Sequence, residues 1–304
     1  MGTPQAAVLS LERCIADGHE IKAVYTQPDR PSGRGNKILF SPVKICALDH
    51  GIEVFQPAKI RTPEAASEFR AHKADAAVVV AYGRILPDAF LTAFMHGAIN
   101  VHFSRLPKYR GAAPVNWAII NGENETGVTT MKMDAGLDTG DILLQEGIHI
   151  GSEETSIELM ERLSVLGADV LSRTLAAIET IVPSPQDHDL ATLAPIMKKQ
   201  DGLINWSMSA EQIANRVRGF QPFPTAFTSY RGSRLTIWRA RAVDLVSDRP
   251  AGQIIEIGKE EIMIACGDGD VLSVSELQPE GKRRLSARDF INGARPAIRE
   301  RLGN

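Results

Sequence analysis

The rhythm of apolar and polar positions changes once along the 304 residues. Up to about residue 182, short apolar runs alternate with amphipathic stretches of helical spacing. Residues 76–81 (AAVVVA) form a nearly continuous apolar run, as a strand buried on both faces of a parallel sheet does. Runs at 21–26, 52–55, 98–103, 127–134 and 141–150 read as further strands. Between them, residues 41–50 and 63–73 read as helices. Gly51 stands just past the first, and Thr62 and Pro63 mark the N-cap and first turn of the second. Residues 157–181 predict one long amphipathic helix. Strands alternating with helices predict an α/β domain, a Rossmann-like parallel sheet covered by helices, over residues 1–182.

Beyond Pro183 the texture changes. Residues 183–202 open with Pro-Ser-Pro and read as a linker. Ser209 precedes a short helix at 210–219. Five β-rich runs follow at 226–230, 235–242, 252–257, 261–266 and 269–277, separated by glycine turns, and a last helix falls near 286–292. That pattern predicts a small C-terminal β-barrel domain of the OB type over residues 203–304.

Composition narrows the classes. No run of 18 apolar residues occurs, and the first residues lack a basic stretch followed by an apolar one. The three cysteines, Cys14, Cys46 and Cys266, have no CxxC spacing, which argues against a disulfide scaffold or a cysteine-rich zinc site and fits a reducing cytoplasm. The net charge of −3 hides an asymmetry. Residues 198–304 carry 17 Lys and Arg against 13 Asp and Glu, a net of +4, and the remainder carries 17 against 24, a net of −7. A mildly basic second half can meet a polyanion or be an ordinary solvated surface.

The chemistry-bearing residues concentrate in a few segments. In 99–107 (INVHFSRLP), strand alternation puts Asn100 and His102 on one face and Ile99, Val101 and Phe103 on the other. An amide beside an imidazole at the carboxyl end of an apolar strand lies where open α/β sheets bind ligands. The segment 133–141 (MDAGLDTGD) is a glycine-bearing loop with three carboxylates, Asp134, Asp138 and Asp141, any of which can hold the imidazolium form of His102. Residues 27–37 (QPDRPSGRGNK) form a Pro- and Gly-rich loop with three cations, Arg30, Arg34 and Lys37, suited to a phosphate backbone or simply to solvent. No GxGxxG, Walker A, HExxH or GxSxG pattern is present.

Asn100-Val101-His102-Phe103-Ser104-Arg105-Leu106-Pro107 resembles the N-[IV]-H-x-S-L-L-P motif of the folate-dependent formyltransferases. Asp138, 36 residues after His102 within Leu137-Asp138-Thr139-Gly140-Asp141, matches that family's aspartate. Stretches at 26–37, 41–44, 78–87, 110–117, 204–207 and 218–224 extend the similarity over essentially the whole chain. The resemblance implies 10-formyltetrahydrofolate as formyl donor, no metal, and the α-amino group of initiator methionyl-tRNA as acceptor. It implies that Asn100 and His102 donate to the oxyanion that forms when the amine attacks, with Asp138 holding His102. It places Ser104, Arg105, Leu106, Pro107, Leu86, Pro87 and Asp141 beside the folate, and Arg30, Arg34 and Lys37 against the tRNA. It also implies a cytoplasmic monomer. A sugar-amine formyltransferase and a catalytically inactive RNA-binding paralogue are the alternatives.

Three departures from the family pattern stand out. Arg105 replaces a leucine, and is expected to face solvent or the folate glutamate tail. Phe103 replaces a common glycine and is expected in the core. Only Met1 precedes Gly2-Thr3-Pro4, where the family has an apolar strand, so the first domain is expected to lack its first strand.

Overall fold

The computed structural model describes residues 1–32 and 37–303. The chain divides into two compact units: Met1–Pro114, Thr126–Ile148 and Met160–Ala194 in the first, and Val115–Glu125, His149–Leu159 and Pro195–Asn304 in the second. In chain order the elements up to residue 194 are α1 (Val8–Ala16), β1 (Val24–Tyr25), β2 (Arg30–Ser32), β3 (Lys37–Leu39), α2 (Pro42–Asp49), β4 (Val54–Phe55), α3 (Pro63–Ala71), β5 (Ala77–Val79) and α4 (Asp88–Leu91). They continue with β6 (Ala98–His102), β7 (Arg110–Gly111), α5 (Pro114–Ile120), β8 (Glu125–Lys132), β9 (Ile142–His149), α6 (Ser156–Ala176) and β10 (Leu193–Ala194).

In the first unit β1 pairs with β4 and β5 with β6, both in parallel. β6 is central in the order β5-β6-β8-β9, with β8 antiparallel to it. All five residues of β6 are buried, so its inward and outward faces both carry side chains that packing holds. Met1 and Gly2 lie between β1 and β5. The Met1 amino nitrogen donates to Val78 O at 2.7 Å, Gly2 N–H to Tyr25 O at 2.9 Å, and Val80 N–H to Met1 O at 2.9 Å. A cavity of about 150 Å³ adjoins them, lined by Ser10, Cys14, Val24, Phe69 and Val78 among others.

Local sequence explains the helix starts. Ser41 and Thr62 accept from the N–H groups of Lys44 and Ala65, and a proline follows each cap, so two orphan donors are satisfied and φ is preset. Gly51 ends α2 in the left-handed region at φ 67°, which glycine enters without a Cβ penalty. An aromatic stack under α3 and α4 fixes this side of the sheet: Phe69 lies 4.1 Å from Phe90 and meets Tyr25 edge-on at 5.2 Å.

The second unit continues with α7 (Ala210–Gly219), β11 (Ala226–Tyr230), β12 (Ser233–Val246), β13 (Ile254–Ile257), β14 (Ile262–Ala265), β15 (Asp270–Pro279), β16 (Leu285–Ser286) and α8 (Ala287–Ala294). The strands form one antiparallel sheet in the order β11-β12-β15-β14-β13, with β16 on β15. The expected barrel does not close. Closure needs β11 to pair with β13, and irregular segments already take those edges. Ile204 N–H reaches Phe227 O beside β11, and Ile254 and Arg299 exchange backbone bonds with Glu300 and Ile254 beside β13. Ile213 and Val217 from α7, Ile237, Leu272 and Val274 from the sheet, and Phe290 from α8 form the core. Among the described residues no helix is long and apolar enough to cross a membrane.

Candidate active site

The strand alternation read from the sequence places Asn100 and His102 together at the carboxyl end of β6. Both are nearly buried, at 9% and 5% exposure. Asn100 sits opposite Val79 of β5 and Met131 of β8, so neighbours on both sides fix its position. Its side-chain amide has no hydrogen-bond partner among the described residues. At 9% exposure the amide is not sealed off from solvent, which leaves it open to a ligand.

His102 is held from two directions. Its Nε2 lies 3.0 Å from Tyr109 O, and a carbonyl only accepts, so this nitrogen carries a proton and donates. Nδ1 lies 3.7 Å from Asp138 Oδ2, too long for a hydrogen bond and within ion-pair range. A proton arriving on Nδ1 makes the ring a cation facing a carboxylate. Asp138 in turn accepts the Gly111 N–H at 2.8 Å. Its backbone is left-handed, φ 52°, a conformation that Asp tolerates better than most residues.

The loop's other carboxylates have different work. Asp134 accepts from Gly136 N–H at 3.0 Å and Thr139 Oγ1 at 2.7 Å, which closes the turn. Asp141 is exposed, and its carbonyl, not its carboxylate, is used in accepting the Lys132 N–H. Of the three acidic candidates, the structure brings Asp138 to the imidazole.

The residues expected beside the folate separate into groups. Leu86 and Pro87 line a cavity of about 540 Å³ with Ile60, Thr62 and Ala135, the last from the aspartate loop. Ser104 and Leu106 are fully engaged instead. Ser104 Oγ donates to Lys108 O, the Leu106 N–H donates to Thr129 Oγ1, and Leu106 O accepts from Gln145 Nε2 at 2.9 Å. Arg105 is exposed, with its stem against Gly127 and near Gly147; a Cβ on Gly127 would come within 2.8 Å of Arg105 Cγ. Phe103 is buried and contacts the helix α6 at Gly167, as expected of a core residue.

In the basic loop, Arg30 and Lys37 belong to the β2–β3 hairpin and Arg34 lies outside the described residues. The loop's root is pinned: Asp29 accepts from Lys44 Nζ and from Gln56 Nε2, and Gln56 also donates to Gln27 O. These bonds hold the Asp29 carboxyl below the usual aspartate range, led by the Lys44 contact. No cluster of three metal-ligating side chains occurs among the described residues.

Sequence reasoning gave no site role to four participants: Tyr109, Arg110, Gly111 and Gln186. The segment 183–194 returns to the site, where β10 pairs with β7 in parallel and Tyr109 N–H donates to Thr192 Oγ1 at 2.9 Å. A buried glutamine within a Pro-rich stretch carries no local signal of that return.

Residues 1–175 match the formyl transferase family and residues 196–295 match the formyl transferase C-terminal domain. The chain belongs to the formyl transferase family. Within it, methionyl-tRNA formyltransferases of Geobacter metallireducens and Solibacter usitatus are 48% and 50% identical to this chain, covering all of it and 97% of each relative. Solved structures share the fold. An N-formyltransferase from Helicobacter canadensis, in complex with folinic acid and dTDP-3-aminofucose, aligns over 91% of the chain with a TM-score of 0.67 at 22% identity. The sugar 3N-formyl transferase WlaRD, in the presence of dTDP and 5-N-formyl-THF, aligns over 93% with a TM-score of 0.65 at 20% identity.

Proposed function

We propose that this formyl transferase moves the formyl group of 10-formyltetrahydrofolate to the α-amino group of methionine on initiator tRNA. The observation that carries the reading is an unpartnered Asn100 amide beside a His102–Asp138 pair, in a chain about half identical over its whole length to methionyl-tRNA formyltransferases.

The folate supplies an activated formyl carbon; the chain supplies electrostatics and orientation. Attack by the amine builds negative charge on the formyl oxygen. Asn100 Nδ2 and the His102 imidazolium are the donors for that charge. Preorganised donors of this kind are each worth about 3–4 kcal/mol. Asp138 keeps His102 oriented and charged, and can accept a proton from the amine through water. Tyr109 O fixes one ring nitrogen, so the ring does not rotate as charge develops.

The cavity beside Leu86, Pro87 and Ala135 supports folate binding, being apolar, roomy and next to the aspartate loop. Asp141 and residues 104–107 belong to its border in this reading. Residues 1–182 are the folate and catalytic domain, 183–202 the connection, and 203–304 an OB-like RNA-contacting domain. Arg30, Arg34 and Lys37 take the tRNA acceptor arm. The enzyme works as a cytoplasmic monomer.

Sugar-amine formyl transfer is the competing activity, because the solved structures described above are an N-formyltransferase holding dTDP-3-aminofucose and a sugar 3N-formyl transferase. Their 20–22% identity, against about 50% for the tRNA enzymes, favours tRNA. Formylation of charged initiator tRNA, assayed against a dTDP-amino sugar with the same donor, tests the choice. Turnover of the sugar alone would overturn it.

A further inference from the structure

We infer that Gln186 and Arg110 are positioning residues that hold Asp138 against His102. The inference rests on the formyl-transfer reading of this site. Gln186 is 5% exposed and Arg110 7%. Arg110 donates to Gln186 Oε1 twice, from Nε at 3.1 Å and Nη2 at 2.7 Å, and Nη2 also reaches His188 Nδ1 at 3.1 Å. Gln186 Nε2 donates to Asp138 O at 2.9 Å and Gly140 O at 2.7 Å. The amide orientation is therefore unambiguous: the oxygen faces a cation that only donates, and the nitrogen faces two carbonyls that only accept.

These bonds close a ring around the catalytic carboxylate. Gly111, next to Arg110 on β7, donates its N–H to Asp138 Oδ2 at 2.8 Å. Arg110 reaches the backbone of the same aspartate through Gln186. The two residues of β7 thus hold Asp138 at both ends, side chain and main chain. Asp138 needs this support because its backbone sits at φ 52°. A residue in that region persists where its surroundings over-determine it. Two residues on, Gly140 packs against β8, where a Cβ would lie 1.8 Å from Lys132 O, so the far end of the loop stays anchored. Released from Gln186, Asp138 can relax toward a common backbone conformation, and its carboxylate then leaves the 3.7 Å contact with His102.

Gln186→Glu tests the inference with almost no change of shape. It keeps an oxygen for Arg110 and replaces the donor aimed at the two carbonyls by a second oxygen. Two buried hydrogen bonds are lost, so kcat should fall about 10- to 100-fold, while KM for each substrate stays within about 3-fold. Hydrogen exchange at the Gly111 amide should speed up about 10-fold or more as its acceptor moves, beyond the uniform increase across the core that accompanies the fall in melting temperature from two lost buried hydrogen bonds. In an Asp138→Asn background the same substitution should cost less than about 3-fold, because the group it positions no longer acts. A full multiplicative loss in that background, or unchanged kcat and Gly111 exchange in the single variant, overturns the inference. Gly111 exchange needs no substrate. If the wild-type protein fails to formylate methionyl-tRNA while Gly111 exchange responds, the functional reading fails and the positioning stands.

Discussion

Asp138→Asn is the substitution that isolates charge at the site. Asparagine occupies the left-handed region as readily as aspartate, so the backbone at φ 52° is not strained by the change. Its side-chain oxygen can still accept the Gly111 N–H. What disappears is the attraction between a carboxylate and an imidazolium at 3.7 Å. With an effective dielectric of about 20, that attraction is about 4 kcal/mol, which sets a ceiling near 10³-fold on the rate effect. The surroundings are dry enough to express much of it, since both side chains are largely buried. Single-turnover formylation at saturating donor and methionyl-tRNA should therefore slow by about 10²- to 10³-fold. Thermal melting should move little, and tRNA binding, measured by filter retention, should be unchanged. A loss below about 3-fold would refute the assignment, because it would mean that the rate-limiting step does not need Asp138 to hold a charged His102.

Three further substitutions probe other parts. Gly140→Ala should destabilise the first unit by about 2 kcal/mol or more and cost activity, because its Cβ would collide with Lys132 O on β8; an unchanged melting curve contradicts the packing. In the second unit, burial opposes ionisation of Glu300. Tyr230, Arg231 and the Ala297 N–H nevertheless hold its carboxyl below the ordinary value of 4.5. The folded state then binds fewer protons than the unfolded one near that value, so this stabilisation is present above pH 4.5 and is lost as pH falls through the lower folded pKa. Glu300→Gln should flatten that acid limb in stability curves taken from pH 3 to 7, and parallel curves would exclude it. Arg34→Ala should weaken methionyl-tRNA use and reduce its salt dependence while leaving donor KM alone, since a phosphate contact releases counterions; equal losses for both substrates would sink the loop's role.

Much of the candidate face was legible because strand periodicity is strict. Asn100 and His102 differ by two positions, and a two-residue period leaves them one face to share. Helix caps at Thr62 and Ser209 were legible for the same reason: each acts within three residues of itself. Periodicity could not choose among Asp134, Asp138 and Asp141, whose roles depend on how a glycine-bearing loop turns. The family resemblance made that choice, and the 3.7 Å approach of Asp138 to His102 agrees with it. Gln186 and Arg110 were illegible because their partners lie 76 residues apart and one sits in a segment that reads as a linker. The barrel failed for a related reason. Strand count and turns were visible, but whether β11 meets β13 depends on residues 203–204 and 299–301, which carry no strand pattern and take the edges first.

Formyl transfer from 10-formyltetrahydrofolate to methionyl-initiator tRNA tests the central claim most directly. The account predicts N-formylmethionyl-tRNA from the purified wild-type protein, lost with Asn100→Ala and with His102→Ala while the fold survives. Wild-type formylation of a dTDP-amino sugar with none of methionyl-tRNA would contradict it.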